Sequence, residues 1–237
     1  MRKFFILVQV IGLIMLLACK SGTQVDIPEG KEGSVYGVKS GMIKYKPMNT
    51  MGMTMTRIVF FDEYGNREVR ETFTEGAMMG QTMKMHAIDI REGLTNIHYE
   101  LENIQNGQNV AKKEAYKETL PKDFMKNQNL AEMSEEMKKL MAYQEVGTET
   151  VAGIEGVKYT IVPDSSNPSM IATGVHYKNI PLKFSMATVE MVAEVVDFDA
   201  KIPAEKFKIP EGYKIIEKEI PAELEENSPL EEEDKSR

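Results

Sequence analysis

The feature that most constrains the fold of this chain is an alternation of apolar and polar side chains, which recurs from about Val35 to Ile216. Successive side chains on a β-strand point to opposite faces, so a period of two indicates half-buried strands. Between Asp62 and Asn66 a glycine stands where a hairpin turn needs a positive φ. The alternation predicts strands at residues 35–45, 51–61, 67–73, 82–90, 94–104, 148–150, 157–162, 170–177 and 183–198.

One segment has a helical period instead. Asn129 is expected as its N-cap, Glu132 completes a capping box, and the helix is expected to end near Gly147. Its apolar stripe contains Leu130, Met133, Met137, Leu140 and Met141. Many short strands and one amphipathic helix predict a mainly β (α+β) fold. We expect a strongly curved antiparallel sheet, or half-open β-barrel, with an amphipathic helical lid.

The N-terminus has the pattern of a secretory signal peptide. Arg2 and Lys3 precede an apolar run over residues 4–17, which is shorter than the roughly 20 residues that a membrane-spanning helix needs. The run ends in Leu16-Leu17-Ala18-Cys19, which resembles the lipobox of bacterial lipoproteins. This resemblance implies cleavage before Cys19, a diacylglycerol on its sulfur and an N-acyl chain such as palmitate. More than one acyl chain makes membrane anchoring stable.

The chain accordingly divides into four parts. Residues 1–18 are predicted as the lipoprotein signal peptide, 19–33 as a tether, 34–217 as a single curved-sheet domain and 218–237 as an acidic disordered tail. A length of 237 residues suits one domain of this size. The tail holds eight acidic and three basic residues and has no apolar periodicity, which is the reason to expect disorder there.

Composition and missing motifs exclude several classes of function. The formal net charge is −8, whereas nucleic-acid binders present basic surfaces to phosphates. One cysteine and three histidines argue against a cysteine or multi-histidine metal site. No motif of a serine hydrolase, zinc protease, dinucleotide-binding fold or P-loop occurs in the sequence. We expect a protein that is not an enzyme, with no nucleic-acid partner, no metal, no cofactor besides the lipid on Cys19, and structural roles for His98 and His176.

Three segments resemble a poorly characterised group of envelope lipoproteins. They are Gly147-Thr-Glu-Thr-Val-Ala-Gly-Ile-Glu-Gly-Val-Lys-Tyr159, Tyr177-Lys-Asn-Ile-Pro-Leu-Lys183 and Ile202-Pro-Ala-Glu-Lys-Phe-Lys-Ile-Pro-Glu-Gly-Tyr213. The group is similar in fold to the periplasmic lipoprotein carriers and their outer-membrane receptor, which are half-open barrels with a helical lid and an apolar cavity for acyl chains. The resemblance implies a lipid-anchored envelope protein, at the outer membrane, that binds an acyl chain or a lipidated protein.

Methionines are the sharpest local feature of the predicted domain. Met51, Met53 and Met55 alternate on one predicted strand and Met83 and Met85 on another, so each set shares one face. Methionine is flexible and polarisable, and it suits a cavity that accepts irregular apolar ligands. The residues predicted to line this cavity are Met51, Met53, Met55, Phe61, Met83, Met85, Met137 and Leu140.

Two alternatives to an apolar cavity stay open at this point. Thioether sulfurs are soft ligands that select Cu(I), so the same methionines also suit a periplasmic copper-binding or metal-stress protein. Alternatively, they fill an ordinary packed core, and the protein is a structural or stress-response lipoprotein without a ligand.

Overall fold

The computed structural model describes residues 34–50, 52–78, 80–121, 124, 134–163, 167 and 169–218, and within them the chain is mainly β. The first eight strands are β1 (Gly41–Tyr45), β2 (Met48–Thr50), β3 (Met53–Asp62), β4 (Arg67–Met78), β5 (Gln81–Glu92), β6 (Thr95–Gln105), β7 (Gln108–Asn109) and β8 (Glu114–Thr119). A short helix, α1 (Glu135–Leu140), precedes β9 (Gln144–Val151), β10 (Ile154–Ile161), β11 (Ala172–Tyr177), β12 (Ile180–Met186), β13 (Val189–Asp197) and β14 (Lys214–Glu217).

The strands form one large sheet that does not close into a barrel. Twelve of them follow the order β14-β8-β6-β5-β4-β3-β1-β13-β12-β11-β10-β9, while β2 pairs with β3 and β7 pairs with β6. The pairs are antiparallel except that β14 runs parallel to β8. The mainly β prediction is therefore confirmed, but the sheet is mixed rather than wholly antiparallel, because the chain crosses the sheet before it forms β14.

The half of the sheet that holds β9 to β13 is curled. In a flat sheet β13 and β9, four places apart in the strand order, would lie about 19 Å apart. Cα atoms of these two strands nevertheless approach within 8 Å. Tyr45 on β1 also donates its hydroxyl hydrogen to the Pro181 carbonyl oxygen on β12, over 2.7 Å and across β13. Register irregularities at Lys44/Tyr45 and at Val175/His176 accompany the bending, as β-bulges do.

The sheet buries apolar side chains on both faces. The inner face is the one toward which Val59 and Phe61 point, and its core consists of Val35, Tyr36, Ile43, Tyr45, Val59, Phe61, Val151, Val175, Ile180, Leu182 and Ala193. The core of the outer face consists of Val69, Ile88, Ile90, Tyr99, Ala115 and Phe207. Phe207 belongs to a 3₁₀ turn, Ala204–Phe207, within residues 202–213, which cross the outer face and pack against it.

The predicted turn between β3 and β4 is present and depends on a glycine. Asp62 Oδ1 accepts a hydrogen bond of 2.7 Å from the Glu63 backbone N–H, and a 3₁₀ turn follows over Glu63–Gly65. Gly65 has a φ of +82°, and a Cβ there would stand 2.5 Å from Cδ2 of Tyr36. Both the left-handed conformation and the ring of Tyr36 therefore require glycine at this position.

Several strand predictions differ from the structure. Residues 183–198 are not one strand: a turn after Met186, with Ala187 at a φ of +51°, divides them into β12 and β13. Residues 35–40 form no strand, because their backbone groups bond to loops, as when Val35 N–H donates to the Tyr64 carbonyl oxygen. The prediction missed β8 and β14, whose side chains are largely polar or exposed.

The helix is shorter than predicted, and the lid is not seen. Its N-cap is Ser134, whose extended backbone interrupts any helix continuing from Asn129, and whose hydroxyl oxygen accepts a hydrogen bond from Met137 N–H. It ends at Leu140 rather than near Gly147, because β9 begins at Gln144. None of its six residues is buried. The predictions for residues 1–33, Met51, 129–133 and 219–237 lie outside the described residues.

Candidate functional site

The register of three strands brings the predicted methionines onto one face. Met55 lies opposite Thr74 on β4, which lies opposite Met85 on β5. In the next row, Met53 lies opposite Gly76 and Gly76 opposite Met83. All four methionines are partly buried, and their parity on the strands places them on the inner face with Val59 and Phe61.

The other described residues that were predicted to line the cavity are Phe61, Met137 and Leu140. Phe61 is fully buried in the inner core and meets the Tyr36 ring edge-on at a centroid distance of 4.9 Å, so it fills the core instead of facing a cavity. Met137 and Leu140 are on α1, where Leu140 is 62% exposed. Met51 is outside the described residues.

Two adjoining cavities open on the inner face. Cavity A, of about 340 Å³, is lined by Val35, Tyr36, Tyr45, Arg57, Val59, Glu68, Arg70, Arg91, Phe124, Pro181 and Met191. Cavity B, of about 580 Å³, is lined by Pro47, Met48, Asn49, Thr50, Met55, Arg57, Phe184, Thr188, Val189, Glu190 and Met191. They share Arg57 and Met191, and each has a size typical of a small-molecule site. Of the predicted residues, Met55 lines cavity B, and Met48 stands directly opposite it on β2.

Cavity A has a charged wall built around one buried carboxylate. Glu68, 6% exposed, accepts a hydrogen bond of 2.6 Å from the Tyr36 hydroxyl. Its two carboxylate oxygens also pair with Arg70 Nε at 3.0 Å and with Arg91 Nη2 at 3.4 Å. Burial and the neighbouring Glu68 charge raise the pKa of Tyr36 well above its usual value, so the hydroxyl stays protonated and acts as a donor. Three arginines and one glutamate give this wall a formal charge of +2, in a chain whose net charge is −8.

Arg57 is the cation that joins the two cavities, and it has no carboxylate partner among the described residues. Its Nε is buried and makes no hydrogen bond within the described part of the chain, and its Nη2 reaches only the Met55 sulfur, at 3.9 Å. Nearby on β4, the buried Oγ1 of Thr74 is likewise without a hydrogen bond among the described groups. A buried polar group without a partner costs about 1–3 kcal/mol, and of these two groups only Arg57 lines the cavities, where a polar ligand atom would offset that cost.

Sequence reasoning missed Arg57, although a signal for it exists. It has the same parity on β3 as Met53, Met55, Val59 and Phe61, so it is a charged residue on an otherwise apolar strand face. The methionines of this face predict an apolar cavity, and Arg57 is the one charge among them.

The two histidines singled out in the sequence are not part of these cavities. His98 Nδ1 lies 2.9 Å from Asp89 Oδ1, and this hydrogen bond raises the pKa of the histidine. His176 is 5% exposed, burial lowers its pKa, and neither ring nitrogen has a hydrogen-bond partner in the described chain. Searched over the described residues, no three His, Cys, Asp or Glu side chains cluster closely enough to hold a metal ion.

Comparisons with known proteins leave the family open. No family model matches the chain, and no curated protein matches it. A solved structure of MucB in complex with MucA(peri) matches with 12% sequence identity and a TM-score of 0.35, over 70% of this chain and 54% of that one. The chain thus spans about half the length of that protein, and a likeness this weak supports no inference about fold or function. Among the described helices, none has the length and apolar character that crossing a membrane requires.

Proposed function

We propose that this protein is a non-catalytic, lipid-anchored envelope protein that binds an apolar ligand, an acyl chain or a lipidated protein, in cavities A and B. The observation that carries the ligand proposal is the pair of adjoining cavities on the inner face, which share Arg57 and Met191. Cavity B is lined by three methionines together with apolar groups of Phe184 and Val189, a lining that adapts to a flexible chain.

The driving force for such binding is the burial of methylene groups. Each buried methylene contributes about 0.8 kcal/mol, so ten of them contribute on the order of 8 kcal/mol before ordering costs. A gain of this size corresponds to a dissociation constant of roughly 1 μM at best. An open sheet with a preformed hollow is therefore sufficient for reversible binding, and the proposal needs no chemical step.

The lipid anchor is a separate part of the proposal and rests on the sequence. The lipobox-like segment ending in Cys19 supports diacylglycerol attachment, and the resemblance to envelope lipoproteins supports the outer membrane as its location. Intact-mass spectrometry of the membrane fraction tests it. The expected result is a chain that begins at Cys19 and carries three acyl chains, and a Cys19→Ser variant should be neither cleaved before residue 19 nor acylated. An unmodified Cys19 in the membrane fraction would contradict the anchor and leave the cavity proposal intact.

The ligand proposal predicts that a charge inside cavity B abolishes binding. In the double variant Met55→Asp, Met191→Asp, two carboxylates line the space that the chain would occupy, and burying them is costly. Titration with a fluorescent fatty acid should show a dissociation constant at least about tenfold weaker than that of the wild type. The matched control is Met170→Asp, since Met170 is 38% exposed and lines neither cavity. Equal affinity in the double variant and the control would refute the proposal.

A second candidate function is the binding of Cu(I), and one observation favours it. Met48, Met55 and Met191 all line cavity B, and Met48 and Met55 stand directly opposite each other across β2 and β3. Directly opposed residues have Cβ atoms about 5 Å apart, so their thioether sulfurs are able to approach a common ion. A Cu(I) competition titration separates the two functions: stoichiometric binding that disappears in Met48→Leu, Met55→Leu would favour copper, because leucine keeps the apolar lining and removes both sulfurs.

A further inference from the structure

We propose that the ligand is an anionic amphiphile whose head pairs with Arg57 while its chain lies in cavity B. This inference rests on the proposed function, because it assumes that an apolar chain enters the inner-face cavities. It adds the chemical class of the head, a carboxylate or a phosphate, and the orientation of the molecule.

The charges of cavity A single out Arg57 as the group that meets the head. Glu68 has two carboxylate oxygens, and Arg70 and Arg91 each pair with one of them. Arg57 lines the same cavity, and among the described residues no carboxylate pairs with it. A ligand with one negative charge would lower the +2 charge of this wall to +1 and give the guanidinium its counterion.

The chemistry of the Arg57 guanidinium fits an oxyanion. The Nε of Arg57 is buried without a hydrogen bond among the described groups, and the Nε edge of a guanidinium is one that carboxylates and phosphates bind in a two-point manner. Thr74 Oγ1 is also buried without a described partner, but Thr74 lies opposite Met55 and lines neither cavity, so the head is assigned to Arg57 alone. A carboxylate or phosphate brings a negative charge and several lone pairs to the guanidinium, whereas a hydroxyl head brings two lone pairs and no charge.

The position of Arg57 sets the direction in which the apolar chain of the ligand runs. It stands where the cavities meet, with the arginine wall in cavity A on one side and the methionines of cavity B on the other. Cavity B contains one charged side chain besides Arg57, Glu190, which is 57% exposed and 3.8 Å from Lys183 Nζ. The apolar chain of the ligand is thus favoured in cavity B, and its anionic head is favoured at the junction with cavity A.

The test compares two ligands that differ only in the head, dodecanoate and dodecanol, by displacement of a neutral fluorescent probe at pH 8. The wild type should bind dodecanoate about tenfold more tightly than dodecanol or better, as expected for a charge-assisted hydrogen bond. Arg57→Met should lose this preference while it binds dodecanol at least as tightly as the wild type does. Dodecyl phosphate in the same assay shows which of the two oxyanions the site prefers.

The controls separate the failure of this inference from the failure of the proposed function. Arg67→Met removes an arginine from the outer face, where it lies over the Phe207 ring, and should keep the full preference. Circular dichroism of Arg57→Met establishes that the variant is folded. If neither ligand binds the wild type, the proposed function itself is wrong. If both bind the wild type with equal affinity, or if Arg57→Met keeps the preference, the inference about the head is wrong and the apolar site stands.

Discussion

At the scale of single residues, the inner face combines a satisfied charge cluster with one unsatisfied cation. Glu68 is buried, but it has Tyr36, Arg70 and Arg91 as partners, so its charge is compensated. Arg57 lines the same cavity without such compensation among the described residues. Groups kept in an unfavourable state for the sake of binding reduce the stability of the unliganded protein.

The first prediction concerns this loss of stability. Replacing Arg57 by methionine removes a buried donor without a partner and keeps most of the apolar stem, so the free energy of unfolding should increase by about 1 kcal/mol. Urea denaturation of the unliganded protein measures it. Arg67→Met is the matched control: it breaks the pair with Glu92, 2.8 Å away, and should decrease the free energy of unfolding slightly. A clear decrease in the free energy of unfolding of Arg57→Met would contradict the prediction, because it would mean that Arg57 stabilises the unliganded protein.

At the scale of elements, Phe124 after β8 contacts the inner face, whereas no residue of α1 lines its cavities. Phe124 lines cavity A and packs against the inner core. The helix α1, in contrast, has no buried residue and lines neither cavity. The amphipathic stripe that predicted a lid is present in the sequence, but its described part lines neither cavity.

Phe124 lines cavity A and α1 lines neither cavity, so we expect Phe124 to be the side chain that retains a bound ligand. Phe124→Ala should increase the dissociation rate of a bound fluorescent fatty acid several-fold, because the aromatic ring that borders cavity A is lost. Stopped-flow displacement measures that rate. Leu140→Ala on α1 should leave it unchanged, since Leu140 is 62% exposed. The opposite ranking of the two variants would restore α1 as the lid.

The elements also show what the sequence was able to predict. Alternation found β3 and the start of β4, and a glycine at the required position found the turn that joins them, because both signals are local. The sequence does not predict the turn at Ala187, because alanine rarely has a positive φ. It does not predict β14 either, because the pairing of β14 with β8 depends on a distant part of the chain. Cavity B likewise depends on how far the sheet curls, which brings Met191 of β13 to Met55 of β3. No local pattern encodes that approach.

At the scale of the whole molecule, one sheet separates two cores, one on each face. The inner core borders cavities A and B and their charged wall, whereas the outer core packs against residues 202–213, beside a separate cavity of about 460 Å³. The outer segment is held by Phe207 and by Tyr213, whose hydroxyl donates a hydrogen bond of 2.8 Å to the Glu100 carbonyl oxygen.

The two-core arrangement predicts that stability and binding respond to different substitutions. Phe207→Ala should lower the free energy of unfolding by about 3–5 kcal/mol, because it leaves a void in the outer core, while the affinity of the folded protein for a fatty acid stays the same. Ile215→Ala, at a position 52% exposed on β14, should change the free energy of unfolding by less than about 0.5 kcal/mol. Urea denaturation and fatty-acid titration of both variants check this. A parallel loss of affinity in folded Phe207→Ala would show that the two faces are coupled.

The place of β1 in the strand order has a consequence for the synthesis of the protein. β1 is among the first strands to leave the ribosome, yet it lies in the middle of the sheet, and one of its two neighbours, β13, ends at Asp197. The outer core is completed later still, because it includes Phe207. A nascent chain therefore cannot complete either core until nearly all of the described sequence has been translated, although β3 to β6 are able to pair with one another as they emerge.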